Sequence, residues 1–351
     1  MKIILSLVVV IVAIGMFYYN SKVSEQNGVV NTKSSNVSEN TNNQDSASTN
    51  NLNIGSDSVQ KKEVSSDTDI TDELDDVIKP AYQVYSNAEE ALAALKKAAV
   101  DYDDIVLEQF SSIGPECSWC TQLFGSLQEK LQSAETTTDE KSYYAEILAI
   151  SGRPDNVAYL VDSIKNAKSS EDSDIFSEAL EVVTGNNEVV DYLGKQLESS
   201  SEELKESLLA ALTNHGSKQA IDLLYNETVK KNDPDGFYSL GIGLGEVIPE
   251  PESIPYLTEL ANKRDDYSHL AVKALLNSGT DGLKVVMDIV SSSSDAESNK
   301  KLLTDAIDHV PFEEDTENYL KEIVNTTKSE AVKEFAQSVL NDFQADLPNE
   351  E

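Results

Sequence analysis

The chain has 351 residues, and its 27 Lys plus Arg stand against 63 Asp plus Glu, for a formal net charge of -36. That balance excludes a nucleic-acid footprint, which needs clustered basic side chains, and opposes docking of the folded part on anionic lipid headgroups. It leaves cationic proteins or divalent ions as complementary partners, and the length is enough for two average domains or one long repeat array with a substantial core.

The first element is a targeting segment. The opening MKIILSLVVVIVAIGMFYYN places Lys2 ahead of an apolar run from Ile3 to Tyr19. At 17 residues the run is near the lower limit for a helix that crosses a bilayer, and longer than most signal-peptide cores. The small residues Ala13 and Gly15 lie inside the run, a poor place for cleavage. Residues 1–19 therefore read as an uncleaved membrane anchor, with secretion after signal cleavage as the alternative. The positive amino terminus and Lys2 favour a cytoplasmic start, so the folded part is expected to be extracytoplasmic, in a periplasm or at a cell surface. Membrane contact is then through the N-terminal segment only.

Residues 20–80 follow as a linker. Between Asn20 and Gln60, 22 of 41 residues are Asn, Ser or Thr and none is aromatic. Such a segment cannot bury enough apolar surface to offset its ordering entropy, so it reads as a disordered tether with an acidic exit from Asp67 to Asp76. A flexible chain of about 60 residues has a root-mean-square reach of roughly 40 to 45 Å.

Residues 81–347 read as all-α. Val157, Leu160, Val161 and Ile164 fall at i, i+3, i+4 and i+7, one face of a helix. Val190, Leu193 and Leu197 repeat the pattern, as do Leu204, Leu208 and Leu212; Val272, Leu275 and Leu276; and Leu320, Ile323 and Val324. No period-2 strand stands out between them. Turn chemistry at the joints recurs: Gly152, Gly185 and Gly216 are 33 and 31 residues apart, and Gly279 lies 63 further on, with an intervening joint near Val247-Ile248-Pro249. After most joints a Tyr-Leu pair opens a helix, at Tyr159, Tyr192, Tyr256 and Tyr319. A period near 32 with two short helices per unit predicts an α-solenoid of about eight helix pairs.

The stretches AEILAISGRPDNVAYLVDSI, LGEVIPEPESIPYLTEL and ALLNSGTDGLKVVMDIV resemble HEAT repeats of the short, phycobilin-lyase-like variety. The resemblance covers residues 86 to 345 and is degenerate, with Val310 standing where a joint glycine is expected. It implies a superhelix with a concave protein-binding surface. It carries over no lyase activity, because the matching positions are structural ones.

Two sites remain to be weighed. GPECSWCTQLF, residues 114 to 124, holds both cysteines, Cys117 and Cys120, beside the single Trp. The C-x-x-C spacing suits a structural disulfide, a redox pair with Cys117 as nucleophile and Cys120 as resolving thiol, or half of a metal site. Outside the cytoplasm paired cysteines usually oxidise, and Glu116 opposes a thiolate, so a disulfide staple is the first reading and a thiol-disulfide oxidoreductase the alternative. A zinc site needs two further ligands, and His215, His269 and His309 sit in later repeats, so no metal and no cofactor is expected. The alternating Gly241, Gly243 and Gly245 of YSLGIGLGEV do not match a phosphate-binding G-x-G-x-x-G loop. They read instead as a close helix approach or a bend. The functional expectation is a tethered protein-binding scaffold rather than an enzyme.

Overall fold

The computed structural model describes residues 85–113 and 117–345. The expected anchor and linker lie outside these residues. Among the described residues no helix is long and apolar enough to cross a membrane.

Among the described residues fifteen α-helices succeed one another. They are α1 (Ala88–Asp101), α2 (Asp104–Ile113), α3 (Cys120–Gln132), α4 (Thr138–Ile150), α5 (Pro154–Lys165), α6 (Ser170–Glu181), α7 (Asn187–Leu197) and α8 (Glu202–His215). After them come α9 (Lys218–Lys231), α10 (Ile254–Asn262), α11 (Ser268–Leu276), α12 (Gly279–Ser291), α13 (Ala296–Leu302), α14 (Glu314–Thr326) and α15 (Glu330–Ala345). Their starts are written in the sequence. Asn87, Ser169, Asn186, Ser201, Ser217 and Asp295 each cap the backbone of the following turn, and Thr137 with Glu140 closes a full capping box. Pro154 opens α5, where its missing N–H costs nothing.

Helices stack in two layers. One runs α4, α6, α8, each packed on the next; the other runs α5, α7, α9, and α10, α12, α14 continue in the same manner. The second-layer helices bury one stripe: Val157, Leu160, Val161 and Ile164 on α5, then Val190, Leu193 and Leu197 on α7. First-layer helices are covered on more than one side, so their apolar residues run nearly continuously. On α4 Tyr143, Tyr144, Ala145, Ile147, Leu148 and Ala149 are all buried, and on α11 so are Leu270 through Leu276 apart from Lys273. The helical repeat array expected from the period is thus present.

The joints stack as well. Gly152 has φ of 63° and Gly216 φ of 66°, in the left-handed region. A Cβ on Gly152 would sit 3.0 Å from the Gly185 Cα, and one on Gly216 would sit 2.2 Å from the Ile248 carbonyl oxygen. Hydrogen bonds cross between successive joints. Thr184 Oγ1 donates to Ile150 O at 2.8 Å, Asn214 Nδ2 to Glu181 O at 3.0 Å, and Glu250 N to Gly216 O at 3.0 Å.

One unit departs from the all-α expectation. After α9 the first-layer helix is replaced by a hairpin of β1 (Phe237–Ser239) and β2 (Ile242–Gly243), paired antiparallel with an irregular register, and then by the 3-10 turn Leu244–Glu246. β2 packs on α8 and the turn on α11, so the layer continues without its helix. The alternating glycines therefore do not lie on two closely approaching helices, because they belong to a hairpin and a turn. Gly241, with φ of 78°, forms the hairpin tip. Gly245 makes room for the Lys273 stem, whose Cδ lies 3.2 Å from where a Cβ would stand. A later unit is also shortened, to α13 and the 3-10 turn Ile307–His309.

Gly216→Ala is expected to destabilise the chain by about 2 to 4 kcal/mol, because it combines a strained φ with a backbone clash. Gly125→Ala on exposed α3, where a Cβ meets nothing within 4 Å, is expected to be neutral or stabilising by up to about 1 kcal/mol. Urea unfolding followed by circular dichroism measures both.

Candidate binding surfaces and the cysteine corner

Cys117 and Cys120 sit at the entry to α3. Their sulfurs are 1.95 Å apart and their Cα atoms 5.1 Å. Cys120 is buried and is the first residue of α3, while Cys117 is half-buried against the same core. The corner is aromatic: the Tyr85 ring stacks on Phe110 at 5.5 Å between centroids and meets Trp119 edge-on at 6.4 Å. Tyr85 also donates to Gln109 Oε1 at 3.3 Å. The described chain around the pair is helical, and residues 114–116 lie outside the description.

The histidines are dispersed, as their positions imply. His215 ends α8, and its Nε2 is 3.2 Å from Gly185 O, so that nitrogen carries the proton. His309 Nδ1 lies 3.1 Å from Asn277 Oδ1, and Asn277 Nδ2 donates to Gly245 O and Val247 O at 2.9 and 3.0 Å. Burial lowers all three histidine pKa values, which keeps the rings neutral at pH 7. His215 and His309 sit at joints and His269 lines a cleft, and among the described residues no group of three His, Cys, Asp or Glu is placed to hold a metal ion. The joint tyrosines pack likewise. Tyr159, Tyr192, Tyr256 and Tyr319 are half-buried against the core; Tyr159 Oη donates to Gln128 O at 3.3 Å and Tyr256 Oη to Asp222 Oδ1 at 2.5 Å.

Two features carry more functional weight. The first is a row of carboxylates across the first layer: Asp104 on α2, Glu146 on α4, Glu178 and Glu181 on α6, and Glu206 on α8. The Glu146 carboxyl is raised to about 7, chiefly by burial and then by Asp104 and Glu178, against the lowering effect of Tyr102, which donates to its Oε1 at 2.5 Å. Glu181 is raised to about 7 by burial, then by Glu178 and Glu206. At the α2 end of this row the apolar side chains of Val100, Tyr102 and Ile105 are exposed. Sequence reasoning passed over the row because carboxylates are so abundant.

The second feature is a cleft of about 210 Å³ at the interrupted unit. Gly236, Ile242 and Gly245 form one wall and Leu270 and Lys273 of α11 the other, with Asp235, Glu246, His269 and Asp305 around it.

No family model matches the chain, and no curated protein matches its sequence. Among solved structures it is similar to two engineered proteins from a structural genomics consortium and to a designed armadillo repeat protein. The first engineered protein is 15% identical over 75% of this chain and 94% of its own, with a TM-score of 0.23. The armadillo design is 16% identical over 63% and 99%, with a TM-score of 0.22. The second engineered protein is 16% identical over 74% and 71%, with a TM-score of 0.23.

The raised carboxyls fix the sign of a pH effect. A carboxyl whose folded pKa exceeds its unfolded value contributes stability that is present below about 4.5 and lost as pH rises through about 7. The contribution of these two carboxyls is therefore expected to fall between pH 5 and pH 8. Glu146→Gln and Glu181→Gln should each recover on the order of 1 kcal/mol at pH 8 after allowance for solvent screening, and almost nothing at pH 4. Thermal melts of each variant across this range test it.

Proposed function

We propose that the chain is a tethered repeat scaffold of the short HEAT kind that binds a basic protein outside the cytoplasm. The observation that carries this reading is the carboxylate row from Asp104 to Glu206, which crosses four successive first-layer helices and keeps two carboxyls near pKa 7. A stacked array supplies a long surface on which like charges can be aligned at one spacing. Aligned negative charge steers and orients a cationic partner. The apolar run Ile3–Tyr19 supports anchoring, and the Asn/Ser/Thr-rich segment supports a flexible reach away from the membrane. In this reading Cys117 and Cys120 form a disulfide that pins the entry to α3 beneath the Tyr85, Phe110 and Trp119 rings, and they take no part in chemistry.

The test compares the full-length chain with its Cys120→Ser variant as baits in envelope extract, on gels run with and without reductant. Both are expected to retain the same partner, with no covalent adduct and with binding lost as salt rises from low to about 0.5 M, where screening shortens the Debye length to a few ångströms. Adducts that form only with Cys120→Ser and vanish on reduction would establish the oxidoreductase reading, with Cys117 attacking substrate disulfides. Retention of nothing by either bait overturns the scaffold. Location is tested separately: protease added to cells stripped of wall and any outer membrane is expected to cut between residues 20 and 80 and release the repeat unit, whereas protection of that segment until the inner membrane is lysed places the chain on the cytoplasmic side.

A further inference from the structure

We propose that the interrupted unit is a docking cleft for a lysine- or arginine-bearing segment of the partner protein. The proposal rests on the protein-binding reading and assigns that partner a specific contact. The cleft exists because the hairpin and the turn Leu244–Glu246 fill the first-layer position with less bulk than a helix. Its volume of about 210 Å³ is several times the roughly 30 Å³ that one water occupies in the liquid, so it admits a side chain rather than a single solvent molecule.

Charge selects the occupant. Asp235, Glu246 and Asp305 line the cleft, and among the described residues none of them is in an ion pair, nor is Lys273. With His269 held neutral by burial, the lining carries three negative charges and one positive. A cation restores the balance. Among the described residues these carboxylates do not form a metal-holding group, whereas an ammonium or guanidinium on a long stem offers several donors and can serve carboxylates that are spread apart. The stem needs apolar surface, which Ile242 and Leu270 provide inside.

Lys273 makes the proposal testable in both directions, because it is the one fixed cation that an incoming cation must share the cleft with. The measurement is fluorescence anisotropy of a labelled tetralysine peptide with the full-length chain in nonionic detergent. Asp235→Asn, Glu246→Gln and Asp305→Asn together are expected to weaken binding at least about tenfold. Glu129→Gln, Glu322→Gln and Glu334→Gln together change the net charge equally, lie on exposed positions away from the cleft, and should leave binding within about twofold. Lys273→Met should tighten it about threefold or more, a gain that misfolding cannot imitate. Equal weakening by both triple variants, no peptide binding at all, or no gain with Lys273→Met overturns the cleft as a docking site. Any of these results leaves capture of the partner from extract as it was, so failure here is distinct from failure of the scaffold.

Discussion

The close stacking of the inter-helix joints is the constraint on which the remainder of this fold depends. Gly152 and Gly185 approach to a distance that no side chain can enter, and the Gly216 backbone lies against the Ile248 carbonyl. Backbone contact at the joints sets the rise from one unit to the next. That rise then determines which helix faces meet, and so which leucines and valines are buried. Hydrogen bonds from Thr184, Asn214 and Glu250 to the preceding joint add direction to the contact. Side chains along the helices fill the space that the joints define.

The interrupted unit shows how far that constraint reaches. Between α9 and α10 the chain has lost a helix but retained its joint. Glu250 still donates to Gly216, and Asn277 still reaches back to Gly245 and Val247. Lys231 lies 3.6 Å above the Tyr238 ring, and Gly243 N donates to Thr213 Oγ1 at 3.2 Å, which together tie the hairpin to α9 and α8. Because each unit contacts its neighbours alone, such a replacement is tolerated wherever both joints are kept. The space released by the missing helix is what opens the cleft.

Much of this was legible in the sequence, and the reasons differ by element. The second-layer helices α5 and α7 were clear because each buries one stripe, which leaves a 3.6-residue period in the apolar residues. The joints were clear because Gly152, Gly185, Gly216 and Gly279 recur at one period. The hairpin was not, because a strand is recognised by β-branched or aromatic alternation and this one alternates Gly241, Gly243 and Gly245 with Leu240, Ile242 and Leu244. The carboxylate row was hidden for another reason: alignment of Glu146, Glu178 and Glu206 depends on how α4, α6 and α8 stack, and no local pattern records that. The cysteine spacing was informative about proximity alone, since a staple and a redox pair need the same reach.

The charge of the array and its stability pull in opposite directions, and the repeat geometry decides where the cost falls. In a compact domain a net charge of -36 would act on one core. Here repulsion acts within a unit and between adjacent ones: Glu181 feels Glu178 from its own helix first and Glu206 from the next after it. The cost is therefore local and is met unit by unit, by the buried stripe of each helix and by internal pairs such as Lys205 with Glu227. Carboxyls held near pKa 7 are the ones for which ionisation is least favourable, so they are also the ones that gain most from a nearby cation. On the proposed scaffold reading, a basic partner set against this surface would offset both the burial and the repulsion that hold these carboxyls near pKa 7.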